Sequence, residues 1–262
     1  MRYLTMLLML NSYSLFAGLP LQSAGIEAIA LSGMQLFAGK SFVGINHISS
    51  HLPKTKTLAF ASQKPYFMSE VHQTDLVFAI PQKHSVIAFY NRTLFAPSYF
   101  GCVLGSGIAL ALHPKIVAGI QSEYHFESVA GYGQYHRSLF KVCLTALPHP
   151  KYSSAWQIAV PGSSLRDKNR HLSHIFAIKY MVQPNIQISG EVQWQNKFKP
   201  SFKTGIRFQL KPEWELISGF DFGNGQFAAG IVRNKKHIQY GIAIRYHQVL
   251  GSGHALHIAY DW

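Results

Sequence analysis

Histidine is the residue type that most invites a chemical reading of this chain, with fourteen copies. His237, His247, His254 and His257 crowd the last apparent hairpin, and His149 stands in a proline turn. A zinc site needs three or four ligands converging at a fixed spacing. His254 and His257 differ in strand parity, so they point to opposite faces, and no Cys/His spacing matches a ligand set. No metal and no cofactor is expected. The glycine-rich GCVLGSG, residues 101–107, could suggest a phosphate cradle, but it does not lead from a strand into a helix. Its glycines are better read as relief of crowding within a strand. A hydrolase would need Ser, His and an acid gathered from separate strands, and nothing marks such a trio. The chain is expected not to be an enzyme.

The charged residues offer a different chemistry. Glu123, Lys141, Lys179, Glu191, Lys203, Arg207, Asp221, Arg245 and Asp261 stand in or beside runs that alternate polar and apolar. Gathered on one face of a wall, they would line a lumen. Acids and bases on neighbouring strands could pair there, and the set supplies the candidate binding residues.

The elements that would carry them are strands. In residues 237–262, Ile238, Tyr240, Ile242, Ile244 and Tyr246 alternate with Gln239, Gly241, Ala243 and Arg245. The pattern then resumes with Leu256, Ile258, Tyr260 and Trp262. Period two marks a strand whose faces meet different media. Equivalent runs predict strands over 40–49, 74–81, 84–91, 98–111, 115–126, 135–146, 153–160, 172–182, 185–195, 200–210, 213–222, 225–233, 236–247 and 253–262. The stretch 50–73 could hold a further hairpin or an irregular excursion. Most runs approach the ~9–11 residues of a tilted bilayer-crossing strand. Tight connections such as His113-Pro114-Lys115 and Gln183-Pro184-Asn185 alternate with looser ones such as Gly223-Asn224-Gly225. Two unlike rims belong to an up-and-down barrel, whose short turns face the periplasm. Aromatics recur at strand ends, as interfacial girdles require. The expected fold is thus all-β, a transmembrane antiparallel barrel of about fourteen strands in the bacterial outer membrane. A secreted soluble β-sandwich that binds ligands is the alternative fold.

Bulk properties agree. Mean hydropathy is +0.05, yet the one compact apolar run near the start, residues 4–10, is far below the ~20 residues of a membrane helix. Arg2, that run and the small residues after it read as a secretion signal over 1–18. The formal charge is +13. Its scatter through turns argues against nucleic acid, which calls for a stripe or cluster. Outer-membrane lipid or lipopolysaccharide suits scattered basic turns better. Cys102 and Cys143 should lie two strands apart, about 10 Å at ~4.8 Å per strand. That exceeds the ~7 Å reach of a disulfide, so both are expected free.

The phrases QPNIQISGEV, LKPEWELISGFDF, HRSLFKVCLTALPHPKYSSAWQIAV and IQYGIAIRYHQVLGSGHALHIAYDW resemble PorV/PorQ-type barrels. Those belong to the wider FadL-like outer-membrane family of Bacteroidota. The resemblance covers residues 98–262 well and 19–97 poorly. It implies a small-residue hatch inside the barrel, here residues 19–39, ahead of a barrel over 40–262. The family's Asn-Pro-Ala-Gly motif is missing; Phe37-Ala38-Gly39-Lys40 stands in its place. The resemblance also implies that Tyr260 and Trp262 form the signal read by the barrel-assembly machinery. Its PorV/PorQ side implies an accessory or docking component that meets secretion-system proteins of the type IX route. Its FadL side implies a passive transporter of small hydrophobic solutes.

Overall fold

The structure, a computed structural model, describes residues 26–32, 34–37, 47–49, 52–65, 70–162, 172–195 and 198–262. The expected signal over 1–18 lies outside them. Among the described residues, fourteen strands form one closed antiparallel barrel. They are β1 (Thr57–Lys64), β2 (His72–Pro81), β3 (Ser85–Ala96), β4 (Tyr99–His113), β5 (Ile116–Val129), β6 (Gly133–His149) and β7 (Tyr152–Pro161). There follow β8 (Ser173–Gln183), β9 (Ile186–Gln195), β10 (Ser201–Lys211), β11 (Trp214–Asp221), β12 (Gln226–Lys235), β13 (Ile238–His247) and β14 (Gly251–Asp261). Each strand pairs with its neighbours in sequence, and β1 pairs with β14 from Thr57↔Asp261 to Lys64↔His254. Lys56 and Trp262 exchange both backbone bonds at 3.0 Å, which completes the seam.

The faces are those of a membrane barrel. Ile242, Ile244 and Ile258 are more than half exposed, whereas Gln239, Ala243 and Arg245 on the same stretch are buried. A sandwich would seal those isoleucines in a dry centre, so the soluble alternative is overturned. GCVLGSG lies within β4 as a strand, and its glycines make room. An added Cβ at Gly105 would strike the Tyr90 ring, and one at Gly107 would strike Ile48. Both cysteines are free, with Cys143 buried toward the lumen and Cys102 on the outer face between Gly101 and Val103, which point in.

One expected strand is wrong. Of the run 40–49, residues 40–46 lie outside the described set, while His47–Ser49 form a turn buried in the lumen rather than part of the wall. The first strand among the described residues is β1, inside the stretch left open as a possible hairpin. Its inward residues Ala59 and Ala61 are small and apolar between outward Leu58 and Phe60. LAFA therefore reads as continuously apolar, and the period-two contrast vanishes.

The proline-turn rim is tied together by a repeated bond. In every second hairpin turn, one carbonyl accepts an N–H from the strand two places on. Ala111 donates to His84, Leu147 to Lys115, Met181 to Lys151, Gln209 to Asn185, Asn234 to Glu213 and Asp261 to His237, all at 2.8–2.9 Å. Register shifts fall beside four of these turns, at Ala111/His113, Ala146/His149, Met181/Gln183 and Gln209/Lys211. A bulge there sharpens the local twist and ends the pairing.

Inside the barrel lies α1 (Ile26–Ala30) with the turn that follows it. Ile29, Ala30, Leu31 and Met34 pack against Ile217, Val232, Ala243 and Ala255 of the lumen wall. The wall has glycines where the segment comes closest. A Cβ on Gly219 would sit 2.5 Å from the Leu31 carbonyl carbon, and one on Gly205 would sit 2.3 Å from Leu31 Cδ2. Gly205 and Gly219 are direct cross-strand partners. Replacing Gly219 by Val should therefore unseat α1 while leaving the barrel closed, because the clash is with backbone. Amide exchange should accelerate in α1 and stay slow in β10 and β11; unchanged α1 protection would show that the helix does not need this position. Gly190, whose added Cβ meets nothing nearer than 3.9 Å, should accept Ala within about 0.5 kcal/mol.

Candidate functional site

The lumen is built by the inward half of each strand. Every candidate charge named above lies on that side, and they fall into separate clusters. Glu191 and Lys203 are direct cross-strand partners, as are Lys203 and Asp221. The Glu191–Lys203 ion pair is 3.8 Å long. Glu191 Oε2 also accepts the backbone N–H groups of Gln35 and Leu36 at 2.8 and 2.9 Å. One wall carboxylate thus holds the inner segment by two charge-assisted bonds, which are the stronger kind. Asp221 serves its own hairpin instead. It accepts from the Gly223 N–H at 2.9 Å and from Asn224 Nδ2 at 2.8 Å.

Glu123 and Lys141 form a second cluster. Tyr90 Oη donates to Glu123 at 2.8 Å, His125 Nε2 lies 3.0 Å from it, and Lys141 Nζ donates to the same carboxylate. Arg207 bonds both Glu215, at 2.9 Å, and Glu27 of α1, at 3.2 Å. Lys179 stands 5.0 Å from the Phe37 ring centroid, over its face. Arg245 is buried on the inner face of β13. Tyr260, Asp261 and Trp262 lie at the proline-turn rim. Trp262 stacks on Tyr260 at 5.7 Å and on Phe78 at 6.1 Å, across the seam, and Asp261 accepts from Thr57 at 2.6 Å.

Sequence reasoning missed several interior residues. Asp75 and Arg92 are cross-strand partners joined at 2.8 Å. Their opposite charges at facing positions were readable once the β2–β3 register was known. Glu27 was hidden in a segment with no strand period. The cluster of His47, Ser49, Thr145 and Gln157 carried no signal, because it joins a turn to two distant strands. Ser49 Oγ lies 2.9 Å from His47 Nε2, Thr145 Oγ1 lies 3.1 Å from the same nitrogen, and His47 Nδ1 lies 3.3 Å from Gln157 Oε1. With the Gln157 oxygen facing it, Nδ1 carries the proton and Nε2 accepts from the hydroxyls.

Such a chain resembles the arrangement that activates a serine nucleophile. Here His47 and Ser49 are at most 1% exposed, and substrate has no approach. The four residues act as a latch that pins the 47–49 turn to β6 and β7. Beside it, Ile48 packs into a cluster with Cys143, Ala109 and Val117. Among the described residues, no three His, Cys, Asp or Glu come together as a metal site.

Burial holds the His47 imidazole neutral, with its pKa lowered to about 4. The unfolded value is near ~6.5, so the latch keeps its full contribution above pH 6.5 and loses it as pH falls toward 4.

No protein-family model and no curated protein matches the sequence. Solved structures do match. The toluene transporter TbuX of Ralstonia pickettii superposes with a TM-score of 0.65 at 9% identity, over 93% of this chain and 99% of that one. The monoaromatic hydrocarbon channel CymD gives 0.69 at 7%, over 94% and 99%. The toluene transporter TodX of Pseudomonas putida gives 0.66 at 8%, over 92% and 98%. These matches are hydrocarbon transporters and channels, and none of the three speaks for PorV/PorQ, for type IX secretion or for Bacteroidota. The quoted phrases mark a strand leaving a proline turn, which any such barrel shares, so they could not separate the two branches.

Two outcomes test the anchors. Changing Glu191 to Ala strips the acceptor from two N–H groups and removes the carboxylate 3.8 Å from Lys203, a loss on the order of 3 kcal/mol. The Gln35 and Leu36 amides should then exchange on the order of a hundredfold faster; unaltered rates would show that this carboxylate does not hold the segment. Cys143 reports the latch. In a Cys102→Ala background, maleimide labelling of Cys143 should rise as pH falls from 6.5 to 4, after correction for the reagent's own pH dependence. His47→Asn should flatten that rise, and a flat wild-type profile would contradict the latch. This protein is an outer-membrane β-barrel with the fold of the hydrocarbon channels it superposes on.

Proposed function

We propose that this barrel is a passive transporter of small hydrophobic solutes across the outer membrane, with its N-terminal segment as a displaceable stopper. The observation that carries this reading is how the segment is held. α1 and the residues after it rest on glycine seats, two carboxylate-accepted N–H groups and one ion pair, Arg207–Glu27. Nothing covalent retains the described segment. Apart from its apolar packing against Ile217, Val232, Ala243 and Ala255, only non-covalent polar anchors hold it in place.

The wall also has the right polarity for an apolar cargo. Ala59, Ala61, Val77, Tyr90, Val103 and Ala259 form one buried stretch of the interior across β14 and β1–β4. A lumen that served only hydrated solutes would be polar throughout. The likeness to toluene and monoaromatic hydrocarbon channels supports the same reading at the level of fold. Lys141, Glu123, Arg207 and their partners then keep the wall's charges neutralised in pairs, and the apolar stripe, buried in this state, is what cargo would meet once its cover is displaced. The reading involves no catalytic step. It takes the place of the docking role, which no observation in the lumen favours.

Uptake of radiolabelled toluene by cells whose own hydrocarbon channels have been deleted tests the proposal. Cells carrying this barrel should take up toluene several-fold faster than cells without it, roughly the effect of removing one barrier in series. The Glu191→Ala variant should be faster still, and uptake of a labelled disaccharide should not change in the wild type. Toluene uptake equal to that of cells lacking the barrel would overturn the transporter reading.

A further inference from the structure

We propose that the proline-turn rim is a binding ring for anionic glycerophospholipid headgroups, strongest around the seam between β12 and β3. Scattered in the sequence, the turn lysines are gathered by the fold onto one rim. Lys83 lies in the β2–β3 turn, Lys115 in β4–β5, Lys151 in β6–β7 and Lys236 in β12–β13, while Lys211 and Lys235 end β10 and β12 beside their turns. Lys56 stands at the seam. All are exposed. Among the described residues, none of these ammonium groups has a carboxylate partner. The turns and the seam offer two side-chain carboxylates, Glu213, paired with Arg233 at 3.3 Å, and Asp261, which accepts from Thr57 at 2.6 Å. The ring of turn bonds consumes backbone carbonyls and amides only, so the lysine side chains are left to reach outward.

Unpaired cations at this density need a counter-surface. Neighbouring hairpins are about 10 Å apart around the rim, close to the Debye length in physiological salt. Their repulsion is incompletely screened, and an anionic plane relieves it. The depth is also that of headgroups. Tyr152 follows Lys151 directly and faces Tyr180 on the outer wall. Ile116 follows Lys115, and Trp214 pairs with Lys211 across the bulge. Each of these hydrophobes is exposed or half-exposed. At about 3.4 Å per residue, the ammonium groups stand just beyond the apolar belt.

Distribution around the circumference chooses the partner. A docked protein would meet one side of the rim, whereas lysines at five of its six turns, all but β8–β9, suit an annulus. Short turns face the periplasm in such barrels, where the leaflet is made of glycerophospholipid rather than lipopolysaccharide. Basic residues at a membrane border draw anionic lipid in this way. Lys235, Lys236, Lys56 and Lys83 occupy three consecutive turn positions across the β12–β3 sector, which makes it the densest part of the ring.

The test uses the full barrel in mixed micelles holding equal phosphatidylglycerol and phosphatidylcholine, with retained lipid counted by native mass spectrometry. Wild type should retain phosphatidylglycerol at least roughly threefold over phosphatidylcholine. Replacing Lys56, Lys83, Lys235 and Lys236 together by Gln should bring the ratio near one, while replacement by Arg should preserve it. Raising salt to 0.5 M, where the Debye length falls to about 4 Å, should also erase the preference in the wild type, which needs no variant to fold. Equal retention in the wild type would overturn the proposal. So would a preference that survives the Gln replacements or high salt. A rim that prefers lipopolysaccharide to phosphatidylglycerol in a competing micelle would also overturn it, by assigning the lysines to the opposite leaflet.

Discussion

In hydrocarbon, a backbone N–H has no water to turn to. Every strand edge must therefore find another strand, and the last must find the first. That requirement rests here on one seam. β1 and β14 pair along their whole shared length, and the double bond between Lys56 and Trp262 extends the ladder one step past the strands. Thr57 and Asp261 add a side-chain bond at the same end, and Trp262 covers the join by stacking on Tyr260 and on Phe78 of β2. Without that closure, two edges of unpaired amides would face lipid. The outward Leu, Ile and Phe side chains have meaning only once the cylinder is complete.

Closure creates an interior with the opposite problem. The wall's polar face turns inward, and burial strands charges away from water at a large cost unless they are matched. The lumen meets this locally. Glu123 gathers Tyr90, His125 and Lys141; Asp75 takes Arg92; Arg207 takes Glu215 and reaches across to Glu27. Charge matching and plug retention are therefore one network. Glu191 neutralises Lys203 and at the same time receives two plug amides. The same carboxylates that make the empty wall tolerable also decide how firmly the inner segment sits.

Much of the barrel was legible because its two media differ so sharply. Ile242 and Ile244 against Ala243 and Arg245 leave little choice of face, and the proline turns set the boundaries of β4 through β11 within a few residues. Parity alone placed Glu123, Lys141, Glu191 and Lys203 inside. What escaped had no contrast or no local period. β1 hid because alanine is small enough for the lumen yet apolar enough to read as lipid-facing. The His47 latch hid because its members are joined only by the fold, about a hundred residues apart. The resemblance reached the barrel fold, which the solved structures share, but strand-and-turn phrases report a wall and not its contents, and those structures lend its PorV/PorQ side no support.

The repeated bond along the proline-turn rim has a consequence for how such a chain can vary. The acceptor carbonyl in each turn serves the neighbouring hairpin rather than its own. An added or lost residue there would displace two partners at once and pass the misfit from one hairpin to the next. Among its described residues the opposite rim shows this bond once, from the Ala130 N–H to the Ser98 carbonyl at 3.0 Å, and Gly131, Gly133, Gly225 and Gly251 take up its bends one loop at a time. A change of chain length should therefore disturb the proline-turn side of the cylinder more than the side of the longer loops.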